Sequence, residues 1–144
     1  MQEIDEQELL KCISILQRKT QIFLNSRLDD LGITGGQAPF LVAVCQRGSM
    51  AQNHLCEVMD MSRGTVAKML AKLEEEGYVK RCCNPDDARA VDVYPTERAQ
   101  ALYSKLCQHG KECIEKMTED MSQVECMAFY ELMRKACSNM TQPR

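Results

Sequence analysis

Residues 62–94 read SRGTVAKMLAKLEEEGYVKRCCNPDDARAVDVY, and the spacing of the apolar residues changes halfway along this run. In its first half, Val66, Leu70 and Leu73 recur at helical spacing, which predicts a helix with one face in the core. Ser62 can cap this helix, because its hydroxyl can accept a hydrogen bond from a free N–H group of the first turn. We therefore predict an amphipathic helix that begins at Ser62.

The second half of the run predicts a β-hairpin. Gly77 closes the helix, since glycine readily adopts the left-handed conformation that often follows a helix C-terminus. In residues 78–82 and 91–94 the period of the pattern changes to two, which predicts two short strands. The polar residues 83–90 contain an Asn-Pro pair and two aspartates, and they predict the loop between the strands.

The residues just before this run predict a second helix. Residues 51–59 form a short amphipathic pattern, and Asp60 and Met61 predict a tight turn into the helix that follows. Helix, tight turn, helix and β-hairpin is the order of a winged helix-turn-helix. In that motif the second helix enters the major groove of DNA.

The outer face of the predicted recognition helix is basic or neutral. It carries Arg63, Thr65, Lys68 and Lys72, while the acidic run 74–76 lies at the far end. A basic helix face is equally often an ordinary solvated surface, so this face alone does not decide between the two interpretations. The net charge of −3 does not decide either, but the hairpin that follows the helix favours DNA binding.

Polar residues mark the starts of two further helices, one before and one after the winged motif. Thr34 and Gln37 form a capping box, and Ser122 and Glu125 form a second one at the start of the last helix. Between these two helices, a long amphipathic helix is predicted over 96–121.

These elements predict a mainly α-helical chain with a small β-wing, folded as a single domain over residues 1–144. The winged helix-turn-helix part spans 34–95, and helices in 5–31 and 96–138 flank it. Their apolar stripes are too long for one small core to cover. We therefore expect them to pair with a second copy of the chain in a homodimer.

The composition excludes several classes of protein. The chain has 144 residues, 27% of them charged, which is ordinary for a globular protein. No apolar run approaches the roughly 20 residues needed to cross a bilayer, and the acidic N-terminus is unlike a signal peptide. We expect a cytoplasmic protein that does not act at a membrane. Because no phosphate loop, nucleophile elbow or paired-histidine motif is present, we also expect no enzyme activity and no cofactor.

The nine cysteines predict reduced thiols, because their number is odd and the expected compartment is reducing. Cys82 and Cys83 are neighbours in a predicted strand and should point to opposite sides of it. His109 and Cys113 share a helix face and could hold a metal ion. Since no third ligand is evident beside them, we expect no metal site.

Residues 73–81, LEEEGYVKR, followed by NPDDARA at 84–90, resemble the recognition helix and wing of the MarR family of transcriptional regulators. The family pattern is approximately Leu-Glu-x-x-Gly-Leu-Val-x-Arg, a short gap and Asp-x-Arg, and the likeness extends over nearly the whole chain. It implies that Arg89 lies at the wing tip and reaches the DNA minor groove, with the carboxylate of Asp87 limiting its conformers. A narrow minor groove has a strong negative potential that attracts a guanidinium group.

The residues and the resemblance together define a predicted DNA-binding surface. It consists of Ser62, Arg63, Thr65, Lys68, Lys72, Arg81, Asp87 and Arg89. The chain departs from the family at Gly64, where a polar residue is usual, and at Ala88, where a second arginine is frequent. These departures affect the preferred DNA sequence more than the fold.

The resemblance also implies a mechanism. A homodimer would bind a pseudo-palindromic operator in double-stranded DNA and usually repress nearby genes. A small aromatic or phenolic effector would bind between the dimerisation and DNA-binding parts and weaken the affinity for DNA. A different class of function, a helical protein-interaction adaptor without DNA binding, remains an alternative.

A second alternative is a thiol-based redox-sensing regulator. Peroxide-sensing MarR proteins carry a reactive cysteine in the first helix, where this chain has Cys12. Those proteins place a tyrosine after the threonine that opens the second helix, whereas here Gly35 follows Thr34. A sensor thiol must also be exposed and readily ionised, and Cys12 adjoins the apolar stripe expected to lie in the dimer. We therefore expect mild peroxide to leave DNA affinity largely intact.

Overall fold

The computed structural model describes residues 3–141, which are mainly helical with one small antiparallel sheet. These residues fall into two compact units that divide after Cys113. In chain order the elements are α1 (Glu6–Leu28), a 3₁₀ turn (Asp29–Leu31), α2 (Ala38–Arg47), β1 (Met50–Ala51), α3 (Gln52–Met59), α4 (Arg63–Glu75), β2 (Val79–Asn84), β3 (Asp87–Pro95), α5 (Glu97–Met117) and α6 (Gln123–Met140).

The predicted helix-turn-helix is present as α3 and α4. Asp60 ends α3 in the left-handed conformation, with φ of 50°, and so turns the chain sharply toward α4. The buried residues Val66, Leu70 and Leu73 of α4 all have 0% of their surface exposed, which confirms the predicted core face. Removing each of these side chains from water stabilises the fold by about 1.5–3 kcal/mol.

The wing is a longer and tighter hairpin than the sequence predicts. Its strands β2 and β3 pair from Val79↔Pro95 outward, so most of the predicted loop at 83–90 lies within the two strands. The side-chain Oδ1 of Asn84 accepts a hydrogen bond from the N–H of Asp86 at 2.8 Å, which closes the chain in a tight turn. An irregular register at Asn84 absorbs the extra residues of β3.

The two-residue strand β1 was not predicted. It pairs with β3 through Met50↔Val93 and Ala51↔Asp92, making a three-stranded sheet in the order β1-β3-β2. Two residues are too few to show a period in the sequence, so only the partner strand reveals this element.

The core of the first unit joins the end of α1, α2, the helix-turn-helix, the sheet and α5. Tyr78 is the largest of its fully buried side chains, and its hydroxyl donates to the backbone oxygen of Leu31 at 3.1 Å. The guanidinium group of Arg98 lies over the Tyr78 ring, 4.4 Å from its centroid. The base of the wing is therefore held against both the 3₁₀ turn and α5.

Both predicted capping boxes form. Gln37 and Thr34 exchange hydrogen bonds of 3.0 and 3.2 Å, although regular helix in α2 begins only at Ala38. Ser122 and Glu125 exchange hydrogen bonds of 2.9 and 3.2 Å at the start of α6. The helix predicted over 96–121 ends four residues early, at Met117.

Several large apolar side chains on α1 and α6 are exposed in the single chain. On α1 and just before it they are Ile4, Leu9, Leu10, Ile13, Ile15 and Ile22. On α6 they are Val124, Met127, Tyr130, Leu132, Met133 and Met140. Within residues 3–141, no helix is both long and apolar enough to span a bilayer.

Two glycines in open surroundings allow a test of backbone conformation. Gly48 ends α2 with φ of +78°, and Gly64 lies in α4; a Cβ atom at either position would meet no other atom within 4 Å. We expect Gly48→Ala to destabilise the chain by about 1–2 kcal/mol, because alanine is strained in the left-handed region. Gly64→Ala should instead be neutral or stabilising by up to about 1 kcal/mol, because alanine is the better helix former.

Denaturant unfolding of both variants and the parent, at one protein concentration, measures these differences. A Gly48→Ala variant as stable as the parent would contradict the left-handed end of α2.

Candidate nucleic-acid interface

The outer face of α4 is a row of exposed cationic and polar side chains. Thr65, Lys68 and Lys72 are exposed on the side opposite the buried leucines, and Arg63 is exposed in the first turn. Within residues 3–141 the structure gives Lys68 and Lys72 no intramolecular ion pair. Their ammonium groups are therefore available to an anionic partner.

Ser62 holds the first turn of α4 in place. Its Oγ accepts a hydrogen bond from the N–H of Thr65 at 3.2 Å and lies 2.8 Å from the Thr65 hydroxyl. The predicted cap is therefore present. It leaves other N–H groups of the first turn pointing outward, at the positive end of the helix dipole, where a phosphate group is favoured.

Arg89 is exposed in the wing, and its backbone is fixed by a neighbouring carboxylate. Asp87 Oδ1 accepts a hydrogen bond from the backbone N–H of Arg89 at 3.0 Å. The sequence predicts that this carboxylate limits the guanidinium group itself. In the structure it orders the main chain from which the guanidinium group projects.

Arg81 differs from the other predicted DNA contacts because it is engaged within the chain. Its Nη2 and Nε donate to Glu74 Oε1 at 3.2 and 3.4 Å, and its backbone N–H donates to Glu74 Oε2 at 2.9 Å. The structure thus places Arg81 at the joint between α4 and β2. A direct contact between Arg81 and DNA stays a prediction.

The same contacts shift the ionisation of Glu74. The hydrogen bond from the backbone N–H of Arg81 lowers the pKa of the Glu74 carboxyl below its ordinary value of 4.5. Partial desolvation opposes this effect, and the hydrogen bonds and charge of the Arg81 guanidinium group add to it.

A second set of contacts at the end of α4 was missed by sequence reasoning. Gln37 is only 2% exposed, and its Nε2 donates to Glu76 Oε2 at 3.1 Å. Arg98 Nη1 also donates to the backbone oxygen of Glu76, at a short 2.6 Å. A signal was available, because three glutamates at a helix C-terminus oppose the helix dipole and call for cationic or hydrogen-bonding partners.

The thiols are dispersed over the chain. None of the nine cysteines is in a disulfide bond, and Cys56 and Cys113 are buried. Cys82 and Cys83 are both exposed on β2, as neighbours in a strand. Cys12 is exposed in the single chain, with its Sγ 4.0 Å from Glu8 Oε1. The expectation that Cys12 is covered concerns the dimer and stays a prediction.

His109 and Cys113, the pair of potential metal ligands on α5, lie in different environments. His109 Nδ1 lies 3.5 Å from Glu112 Oε2, near enough for an ion pair but without hydrogen-bonding geometry. Cys113 is buried, and burial raises the pKa of its thiol. In the part of the chain that the structure describes, no three His, Cys, Asp or Glu side chains come together to hold a metal ion.

Comparison with known proteins identifies relatives with the same architecture. The family model described as the MarR family matches residues 31–90. The HTH-type transcriptional regulator YybA of Bacillus subtilis is 23% identical over 133 residues, which cover 92% of this chain and 89% of YybA. The multiple antibiotic resistance protein MarR of Escherichia coli is 26% identical over 126 residues, covering 87% of this chain and 88% of MarR.

Solved structures show the same fold. A cysteine-to-serine mutant of MarR from E. coli, complexed with operator DNA, superimposes with a TM-score of 0.81 at 26% identity, covering 90% of this chain and 93% of that one. The transcriptional regulator SlyA gives a TM-score of 0.86 at 22% identity, with coverage of 92% and 94%. The first of these was crystallised on DNA, and the second supports the fold.

The lowered pKa of Glu74 predicts how the stability of the fold depends on pH. A carboxylate with a lower pKa in the folded than in the unfolded chain stabilises the fold above its ordinary pKa, and this contribution is lost as the pH falls through the lowered value. Removing the charge with Glu74→Gln should therefore reduce stability at neutral pH. The variant should then lose less further stability than the parent between about pH 5 and pH 3.

Glu75→Gln is the matched control, since it removes the same charge from an adjacent exposed position. Thermal unfolding across this pH range measures both variants. Parallel pH profiles for the two would show that the contacts of Glu74 with Arg81 do not contribute to stability.

Proposed function

We propose that this chain, as a member of the MarR family of winged helix-turn-helix transcriptional regulators, acts as a homodimeric repressor on a pseudo-palindromic DNA operator. The observation that carries this proposal is the exposed basic face of α4 beside a hairpin that presents Arg89. A relative of the same fold has been crystallised with operator DNA, which supports a DNA partner here. The proposal includes no catalytic step and no cofactor, and it places the protein in the cytoplasm.

The proposed contacts divide between the two grooves. Lys68 and Lys72, with Arg63 and Thr65, would line the face of α4 that enters the major groove. Ser62 and the first turn of α4 would lie against a phosphate group. Arg89 would enter the adjacent minor groove, where the negative potential is strongest when the groove is narrow.

The proposed dimer uses the helices on either side of the winged part, in 5–31 and 96–138. The exposed apolar side chains of α1 and α6 would be covered by the second copy, which removes them from water. Two-fold symmetry would place two recognition helices about one turn of DNA apart, roughly 34 Å, so that a palindromic site is read twice.

Release by a small aromatic or phenolic effector is the remaining part of the proposal. It rests on the family resemblance. An effector lowers the affinity for DNA only if it binds the DNA-free conformation more tightly than the DNA-bound one. Addition of a small phenolic acid to the protein–operator complex, with an aliphatic acid of the same charge as control, tests this part separately.

The proposed dimer can be tested by the mass of the protein in solution. Light scattering at micromolar concentration should give about twice the chain mass of 16.4 kDa, because the exposed stripes of α1 and α6 favour association. A monomer throughout that range would contradict the dimer and the two-fold symmetry of the operator.

The proposed DNA-binding surface can be tested by selection and substitution. Selection from random duplex DNA should recover a palindromic site, and Arg89→Ala should weaken binding to it by about 1–3 kcal/mol per contact. Lys72→Ala should lower the magnitude of the slope of log affinity against log salt by about one per phosphate contact. Lys105→Ala on α5 removes an equal charge outside the proposed surface and serves as the control.

Two results would oppose the proposal. Failure to enrich any duplex would favour the adaptor alternative. Enrichment with unchanged affinity and salt slope for Lys68→Ala, Lys72→Ala and Arg89→Ala would show that DNA lies on another surface.

A further inference from the structure

We propose that Glu74 and Arg81 are positioning residues that hold the wing in register with the recognition helix, so that the two groove contacts act as one unit. This inference rests on the proposed DNA binding. It adds a role for two residues that bind each other and do not themselves contact DNA. Glu74, which belongs to the acidic run that the sequence places away from DNA, then has a role in binding it.

The contacts join two elements through both side chain and backbone. One carboxylate of α4 accepts three hydrogen bonds from a single residue of β2: two from the Arg81 guanidinium group at 3.2 and 3.4 Å, and one from its backbone N–H at 2.9 Å. The two guanidinium donors converge on Oε1 and the backbone N–H binds Oε2, so both carboxylate oxygens are held and the orientation of β2 is restricted as well as its distance. The backbone bond also fixes the strand itself, since it does not depend on the conformation of the Arg81 side chain.

The covalent link between helix and wing is short and contains a glycine, which constrains the backbone less than other residues do. Only Glu76, Gly77 and Tyr78 separate α4 from β2, and Gly77 has φ of +84°. Tyr78 and Arg98 anchor the base of this link. The contact between Glu74 and Arg81 lies beyond the link, on the strand that leads to the wing tip, so it controls the angle at which the hairpin leaves the helix.

We expect this contact to affect the affinity for DNA more than the free energy of unfolding. The side chains of Glu74 and Arg81 are 39% and 27% exposed, and exposed ion pairs contribute little to folding. Two contacts on one rigid body bind more tightly than the same contacts on bodies that move separately, because the second contact then costs less ordering. Loss of the contact should therefore uncouple the wing without unfolding the chain.

The alternative role of Arg81 is a direct contact with a DNA phosphate. It predicts the opposite change in DNA affinity for Glu74→Ala. If Arg81 binds DNA, Glu74 competes for its guanidinium group, and Glu74→Ala should release it and strengthen binding. If Glu74 and Arg81 position the wing, Glu74→Ala should weaken binding, even though it removes a negative charge from a DNA-binding protein.

The test is a double-mutant cycle on the full-length protein with a duplex recovered by selection. Glu74→Ala, Arg89→Ala and their double variant are compared with the parent, and Glu75→Ala controls for the lost charge on the same helix turn. We expect Glu74→Ala to bind about three- to tenfold more weakly than Glu75→Ala. We also expect Arg89→Ala to cost less affinity in the Glu74→Ala background than in the parent, because the wing is no longer held in place.

A readout without DNA accompanies the cycle. Amide hydrogen exchange in β2 and β3 should quicken in Glu74→Ala and stay at the parent rate in Glu75→Ala. Glu74→Ala should remain folded, with only a small fall in its thermal midpoint at neutral pH relative to Glu75→Ala. Glu74→Gln, which keeps an acceptor for the Arg81 N–H but loses the charge, should fall between them. If Glu74→Ala misfolds, Glu74→Gln supplies both measurements.

The outcomes separate this inference from the proposed function. Equal affinities of Glu74→Ala and Glu75→Ala, additive effects with Arg89→Ala, or unchanged exchange in the wing would overturn the positioning role while DNA binding stands. Tighter binding by Glu74→Ala would overturn it in favour of direct contact by Arg81. Failure of the parent to select any duplex would overturn the proposed function, and the positioning role with it.

Discussion

Burial of one face of α4 is the constraint on which the other features of the molecule depend. Val66, Leu70 and Leu73 have no exposed surface, and this fixes the rotation of the helix about its own axis. With that rotation set, Lys68 and Lys72 can only face outward. The apolar spacing that drives folding therefore also determines which cations are presented, so core and candidate interface are two sides of one helix.

Contacts at the C-terminal end of α4 orient this helix relative to the wing and to the start of α2. Three glutamates oppose the helix dipole there, and two of them are compensated by contacts with other elements. Glu74 accepts hydrogen bonds from Arg81 in the wing, and the side chain of Glu76 accepts one from the buried Gln37 near the start of α2. A locally unfavourable run of charge thus acquires contacts in two directions, which a run of neutral residues would not provide.

Much of the fold was predictable because local rules and tertiary packing agree. The caps at Ser62 and Ser122 each involve residues within one turn, and the structure contains them as predicted. The wing was harder to predict. Strand pairing depends on a partner distant in the sequence, and the alternation that marks a strand fades in residues 83–90, where polar side chains face solvent on both sides. The predicted loop was therefore too long, and β1 was absent from the prediction.

The sequence by itself determined which side of α4 is buried and where the helices begin, because helical period and capping act between residues at most a few positions apart. It also supplied the wing motif that contains Arg89. Only the tertiary structure decided the partner of Arg81. A basic residue in a strand looks the same in sequence whether it faces DNA or a carboxylate. The choice depends on the angle at which β2 leaves Gly77, and that angle brings Arg81 within hydrogen-bond distance of Glu74.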